Sequence, residues 1–317
     1  MKVHRELAGS LPEFRNAVVT IGTFDGVHKG HQQILHQLKE EAARINGETV
    51  IITFHPHPRK IISSVPGDVK LLNTLTEKKI LLEQAGIDHL VVVPFDHHFA
   101  NQSADEYITD FLYKYFRPHT IIIGYDHRFG KGRTGDYHLL ETYGHQLGFT
   151  VKEITEQLLN EIAVSSTRIR KAITENDIAT ANAALGYPYF FEGLVVEGNQ
   201  LGRTIGYPTA NLHIGSEEKL IPGNGVYAVR AEIVDNPATY YGGMMNIGLR
   251  PTVDGKKRVI EVNIFDFNQD IYGQHLRIHV VQQLRSEIKF DGLEALKAQL
   301  AEDKKEAIKV LTINTEN

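Results

Sequence analysis

Short apolar runs alternate with amphipathic stretches through the first half of the chain. The runs are Val18–Ile21, Glu48–Phe54, Leu90–Val93, Thr120–Ile123 and Phe149–Ile154. Nearly continuous apolar character over so few residues predicts strands buried on both faces of a parallel sheet. Between them the period becomes helical. Ile34, Leu35, Leu38, Ala42 and Ile45 fall on one side of a helix that follows the first run. Thr76 as N-cap and Gly86 past the end bracket a short helix over 76–85. Ser103 and Glu106 form a capping box ahead of Tyr107, Ile108, Phe111, Leu112 and Tyr115, which face inward as core. Pro118 ends that helix. Asn176–Leu185 reads as a small closing helix, and Gly186-Tyr187-Pro188 as a boundary. Alternating strands and helices predict a Rossmann-like, doubly wound α/β domain over 1–186.

Beyond Pro188 the pattern changes. Phe190–Glu197, Gly225–Ile233, Tyr240–Ile247, Val259–Phe265 and Leu276–Gln282 are strand-like runs separated by Gly, Pro, Asn and Asp. They predict a small antiparallel β-barrel over 187–317. Asp291 is read as the cap of a final helix with Leu293, Leu296 and Leu300 on one side.

A length of 317 residues suits two domains, and 42% hydrophobic residues supply cores for both. The chain has no cysteine, which excludes disulfides, thiolate metal sites and cysteine nucleophiles. A net charge of −5 argues against nucleic-acid binding while leaving room for a local anion site. The N-terminal stretch lacks a signal-peptide core, and no apolar run approaches the ~20 residues of a membrane span. A soluble cytoplasmic protein is expected, a monomer or weak homo-oligomer, with small-molecule partners rather than nucleic acid or membrane.

The first candidate site follows the first strand. Gly22, Thr23, Phe24, Asp25, Gly26 and Val27 make a loop, and His28-Lys29-Gly30-His31 opens the helix. Backbone N–H groups at a helix start attract anions, and two histidines three positions apart share the first turn. Gly30 admits a ligand close to the backbone. Donors without an obvious nucleophile or base suit phosphoryl or nucleotidyl transfer. A strand, glycine loop and helix is also common scaffolding, so the His-x-Gly-His spacing carries the specificity.

This segment resembles the H-x-G-H motif of the nucleotidylyltransferase superfamily. The longer string GTFDGVHKGH is similar to that of bacterial FAD synthetases, the bifunctional riboflavin kinase/FMN adenylyltransferases. Their Phe-x-Pro-His-Pro pattern matches the loop at His57 and Pro58, which the resemblance places near the flavin, together with Asp25. From spacing alone that loop is also a solvated turn, and no third ligand at metal-site spacing makes it a zinc site. The family's G-x-(D/N)-F-x-F-G segment matches Gly124 and Asp126, with Tyr125 and His127 departing from the commoner residues. Its I-S-S-T-x-I-R segment puts Ser166, Thr167 and Arg170 on the ATP triphosphate. Read without the resemblance, those hydroxyls are ordinary helix caps.

Gly130, Gly132 and Gly135 spell G-x-G-x-x-G, but Gly124–Phe129 intervenes after the strand, which is the wrong place for a dinucleotide fingerprint. In the second half the stretch from Gly198 to Asn211 is rich in Gly, Thr and Asn. Thr209 and Asn211 point the same way along an extended chain and offer oxygens of the kind Mg²⁺ takes. Glu261 is a lone acid in a strand, where a carboxylate usually faces water. Here the chain resembles riboflavin kinase, through Pro208–Asn211, Pro222–Tyr227, Asn246–Thr252, Glu261 and Tyr272-Gly273, with Asn263 where His is commoner.

The resemblance implies two reactions. ATP would phosphorylate riboflavin to FMN in the C-terminal domain. FMN would be adenylylated to FAD in the N-terminal domain, with release of pyrophosphate. It makes Glu261 the kinase base, Thr209 and Asn211 the Mg²⁺ ligands, and Gly202, Gly206, Pro208 and Asn246 further nucleotide or flavin contacts. His28 and His31 would stabilise charge on the α- and β-phosphates of ATP, within a pocket that includes Gly22, Thr23, Phe24 and Gly26. Three rivals stand beside this reading: an enzyme with one decayed site, a NAD-dependent oxidoreductase using Gly130–Gly135, and a flavin-binding regulator.

Overall fold

The computed structural model describes residues 1–7, 11–62, 70–154, 164–198, 201–252 and 255–313. Within the glycine-rich stretch, Asn199 and Gln200 lie outside the described residues. The chain divides into two compact units, Met1–Ser166 and Thr167–Asn317.

The first unit is built on a six-stranded parallel sheet. Its strands are β1 (Lys2–His4), β2 (Val18–Ile21), β3 (Thr49–His55), β4 (His89–Pro94), β5 (Thr120–Gly124) and β6 (Thr150–Ile154). Their order is β1-β4-β3-β2-β5-β6. Successive side chains alternate between two cores, as the period of a strand requires. Val19, Ile21, Val50, Ile52, Ile121 and Ile123 pack on one face against aromatics of a helix over 104–116. Val18, Ile51, Leu90, Val92 and Ile122 pack on the other, where α1 (Lys29–Ile45) supplies Leu35, Leu38 and Ala42. Ile34 and Ile45 border that core as expected. From β2 the chain first fills the β3 side and later returns to the β5 side. The carboxyl end of β2 is therefore the topological switch point, where open α/β sheets bind ligands.

Three local expectations change. The short helix α2 is Leu75–Gln84, capped by Thr74 rather than Thr76, because the capping box requires Glu77 three residues later. The helix over 104–116 turns as a π-helix through Tyr107–Tyr113. The edge strand β1 is too short to display a period.

The second unit begins ahead of the expected boundary at Gly186. It takes in α3 (Ser166–Thr174) from Thr167 onward and α4 (Ile178–Leu185), the latter capped by Asp177. Asn182 explains why α4 belongs to the barrel. Its amide nitrogen donates to the Val280 carbonyl at 2.9 Å, and its oxygen accepts from Tyr189 N–H at 2.7 Å. The strands β7 (Tyr189–Val196), β8 (Ala210–His213), β9 (Gly225–Ile233), β10 (Asn236–Thr252), β11 (Gly255–Ile264) and β12 (His275–Arg285) close as β10-β11-β8-β7-β12-β9. Strand β8 was hidden in the glycine-rich stretch.

The last helix, α5 (Leu293–Ile313), starts after Gly292 rather than directly after Asp291. Of the expected stripe, Leu300 borders the barrel core, while Leu293 is 53% exposed. The packed face is instead Ala307, Val310 and Leu311. Asp303 anchors it, with Arg285 Nη2 donating to its carboxylate at 2.7 Å.

Candidate active sites

The loop leaving β2 is bent into an unfavourable shape. Phe24 has φ 46°, Gly26 93° and Val27 34°. Left-handed backbone is costly for an aromatic and more so for a β-branched residue, so surrounding bonds must enforce it. They are present. The Asp25 carboxylate accepts from Leu72 N–H at 3.0 Å and Asn73 N–H at 3.1 Å. The Asp25 carbonyl accepts from Ser166 Oγ at 2.9 Å. The Thr23 carbonyl accepts from Lys78 Nζ at 2.6 Å and Thr53 Oγ1 at 3.2 Å. Asp25, expected against the flavin, is 2% exposed, and its carboxylate anchors this loop.

The loop delivers the two histidines. His28 is the N-cap of α1, its Nδ1 accepting from His31 N–H at 3.3 Å. The two rings stack with centroids 3.7 Å apart and planes 12° from parallel. A Cβ at Gly30 would stand 3.3 Å from the His28 imidazole, so only glycine leaves the stack undisturbed. Burial, then the His28 and Lys78 charges, hold the His31 pKa well below its ordinary value. His31 is therefore a neutral imidazole, which has one N–H to donate. Its Nδ1 is buried with no hydrogen-bond partner among the described residues. A neutral donor at a helix start with no acidic residue in its first turn suits developing negative charge.

Two further expected segments leave the same carboxyl end of the sheet. β3 and β5 flank β2 in the sheet. His57 follows the end of β3, half-buried, its Nδ1 accepting from Arg59 N–H at 3.2 Å, and Pro58 opens a short helix over Pro58–Ile62. Gly124 ends β5 and its carbonyl accepts from His127 N–H at 3.0 Å, leaving Asp126 exposed in the turn. Thr167 and Arg170 continue the helix that starts at Ser166, the first exposed and the second half-buried.

The G-x-G-x-x-G string is explained by packing. A Cβ at Gly130 would stand 2.8 Å from Ala104 backbone, and one at Gly135 would enter the Phe129 ring. The segment between them is a 3₁₀ turn, Lys131–Arg133, rather than the strand-to-helix turn a dinucleotide needs.

Burial lowers the pKa of five described histidines: His4, His31, His89, His127 and His279, with His127 reaching about 4 from 6.5. The unfolded chain binds these protons first as pH falls. Stability held above pH 6.5 is expected to drain away on acidification towards pH 4. Melting temperatures across that range check this, and a flat profile would show that the histidines protonate without cost.

In the barrel, register brings the separated residues together. Asn211 of β8 pairs with Glu261 of β11, which pairs with Asn246 of β10. In-register neighbours share a sheet face. Their flanking residues Leu212, Val262, Met245 and Ile247 are buried, so this half-buried row lies on the face turned from the barrel interior. Bare glycine backbone adjoins the row. A Cβ at Gly198 would overlap the Asn211 amide, and one at Gly248 would overlap the Glu287 carboxylate and stand 3.4 Å from the Asn246 amide. Glu287 is an acid beside this row that sequence patterning did not single out.

A cleft of about 520 Å³ is lined by Pro208, Thr209, Arg203, Ile264, Phe267 and Tyr272, among others. Glu261, Asn211 and Asn246 are not part of that wall, so the expected kinase residues divide between cleft and row. Gly202 and Gly206 shape the cleft's Pro208 side. The Gly202 carbonyl accepts from Tyr207 N–H at 2.8 Å, and Gly206 has φ 84°. Asn263, where the family more often has His, donates from Nδ2 to the Pro208 carbonyl at 2.7 Å and fixes this corner. Among the described residues no group of three or more His, Cys, Asp or Glu gathers as a metal cage. Thr209 and Asn211 supply hard oxygens, the donor type of Mg²⁺, which keeps waters and substrate phosphates as its other ligands.

The comparisons follow the same division. The FAD synthetase model matches residues 11–168 and the riboflavin kinase model residues 185–311. Three similar curated relatives are each named bifunctional riboflavin kinase/FMN adenylyltransferase. That of Escherichia coli strain K12 is 38% identical, covering 90% of each chain. That of Bacillus subtilis is 37% identical, covering 94% of this chain and 93% of the relative. That of Haemophilus influenzae is 36% identical, covering 96% and 97%. A solved structure described as a macrolide-efflux protein from Streptococcus pneumoniae superposes with a TM-score of 0.85 at 32% identity, covering 96% and 97%. Among the described residues no helix of this chain is long and apolar enough to cross a membrane. With an FAD synthetase domain ahead of a riboflavin kinase domain, and relatives matched over nearly their whole length, the chain belongs to the bifunctional riboflavin kinase/FMN adenylyltransferase family.

Proposed function

We propose that this chain makes FAD from riboflavin in two ATP-dependent steps, adenylyl transfer at the histidine pair and phosphoryl transfer at the barrel. The stacked His28–His31 pair at the switch point, with its neutral His31, supports the reading for the first unit. An FMN phosphate oxygen attacks the α-phosphorus of ATP and pyrophosphate leaves. The FMN phosphate is already anionic near neutral pH, so no protein base is needed. His28 and His31 stabilise the charge that builds on the phosphates. Ser166, Thr167 and Arg170 hold the triphosphate, Gly124 and Asp126 the rest of the nucleotide, and His57 and Pro58 the flavin. Asp25 keeps the loop in shape.

In the second unit Glu261 takes the proton of the ribityl hydroxyl as it attacks the γ-phosphorus of ATP, and ADP leaves as the bond to the β,γ-bridging oxygen breaks. Mg²⁺, held by Thr209 and Asn211, would neutralise phosphate charge there. Asn246 orients the acid or the substrate from the neighbouring strand, and Gly202, Gly206 and Pro208 border the nucleotide. The enzyme works as a cytoplasmic monomer or weak homo-oligomer.

This reading places all the kinase machinery beyond Ser166. A fragment starting at Thr167, which keeps Asn182 and α4, is expected to fold and phosphorylate riboflavin alone. A folded fragment that binds flavin without turning over would contradict it.

A further inference from the structure

Lys78 lies on α2, outside the segments that the sequence singled out, and it is 7% exposed. Lysines are almost never buried without a dedicated partner. Here the partner is a backbone carbonyl of the adenylyltransfer loop. Nζ donates to Thr23 C=O at 2.6 Å and approaches Thr53 Oγ1 at 3.4 Å. Thr53 Oγ1 donates to the same carbonyl at 3.2 Å. Directly after Thr23 come the left-handed Phe24, Gly26 and Val27. The Thr23 carbonyl is thus the fixed point from which the bent turn leads to the His28–His31 stack.

We propose that Lys78 is a positioning residue for adenylyl transfer, its ammonium pinning the Thr23 carbonyl so that the bent loop presents His28 and His31 to the phosphates of ATP. The same charge acts on His31 directly, helping to keep that imidazole neutral. The inference rests on the reading of this loop as the adenylyltransfer site.

The groups that act on Lys78 are Asp25 on the loop, His31 on α1 and uncharged Thr53 on β3. Burial lowers the Lys78 pKa to about 8, against the opposing pull of Asp25. The ammonium is therefore lost within an accessible pH range, and the pin loosens with it.

The test uses the full-length enzyme and measures FAD formation from FMN and ATP between pH 6 and 10. Wild type is expected to show an alkaline fall in kcat/KM with a midpoint near pH 8. Lys78→Arg keeps a charge that does not titrate and should lose that fall. Lys78→Met, similar in size but uncharged, should lose roughly 10–100-fold, chiefly in kcat, the cost of a hydrogen bond to a charged group. Riboflavin phosphorylation should stay unchanged in both variants. An alkaline fall that persists in Lys78→Arg, or its absence in wild type, overturns the proposal, and both readings hold even should Lys78→Met fail to fold. Should His31→Ala leave FAD formation intact, the site reading itself fails. Loss in His31→Ala with no effect of either Lys78 substitution would overturn only this inference.

Discussion

Glu261→Gln is expected to lower FMN formation by roughly 10²–10⁴, the range for a positioned general base. The substitution keeps size and hydrogen bonding and removes only the carboxylate's capacity to take a proton. Register makes the expectation specific. Glu261 stands between Asn211 and Asn246 on three neighbouring strands, so its position is fixed by the barrel's backbone rather than by a loop. FAD formation from supplied FMN should persist, because the histidine pair lies in the other compact unit. Steady-state assays of both reactions on one folded preparation decide it. Near-normal FMN formation would move the role to another acid, first to Glu287 beside Asn246 or Asp266 at the end of β11. Asp254, a third acid of this half, lies outside the described residues.

His31→Ala should cut FAD formation by roughly 10²–10³, the usual loss of one charge-stabilising donor, while riboflavin phosphorylation barely changes. The stack amplifies the effect. His28 Nδ1 accepts from the His31 backbone, and its ring lies flat on the imidazole that alanine removes. Equal loss of both activities would mean that the chain unfolds. Unchanged FAD formation would show that the buried Nδ1 of His31 faces no substrate.

Much of this was legible because it is written in local pattern. Continuous apolar runs marked β2 to β6, and the period change after Pro188 marked the barrel. The His-x-Gly-His string marked the loop at the switch point. Tertiary pairing leaves weaker traces. Strand β8 makes two pairings with β11 and three with β7, so few alternating positions announce it. The row of Asn211, Glu261 and Asn246 unites residues far apart in sequence, and only register aligns them. Asp25 was placed near the flavin by resemblance alone, and its anchoring of the loop left no local trace. Its partners, the N–H groups of Leu72 and Asn73, come from a distant segment. Lys78 was hidden for the same reason. A lysine in Glu77-Lys78-Lys79 looks solvated until α2 packs it beneath the loop.

The central claim is that one chain holds two independent sites acting in sequence. The most direct measurement supplies riboflavin, ATP and Mg²⁺ to Glu261→Gln and His31→Ala separately and then together, with FMN and FAD separated at each time point. The account predicts almost no product from the first variant, FMN without FAD from the second, and FAD from the mixture. A mixture that makes no more FAD than either variant alone would contradict it.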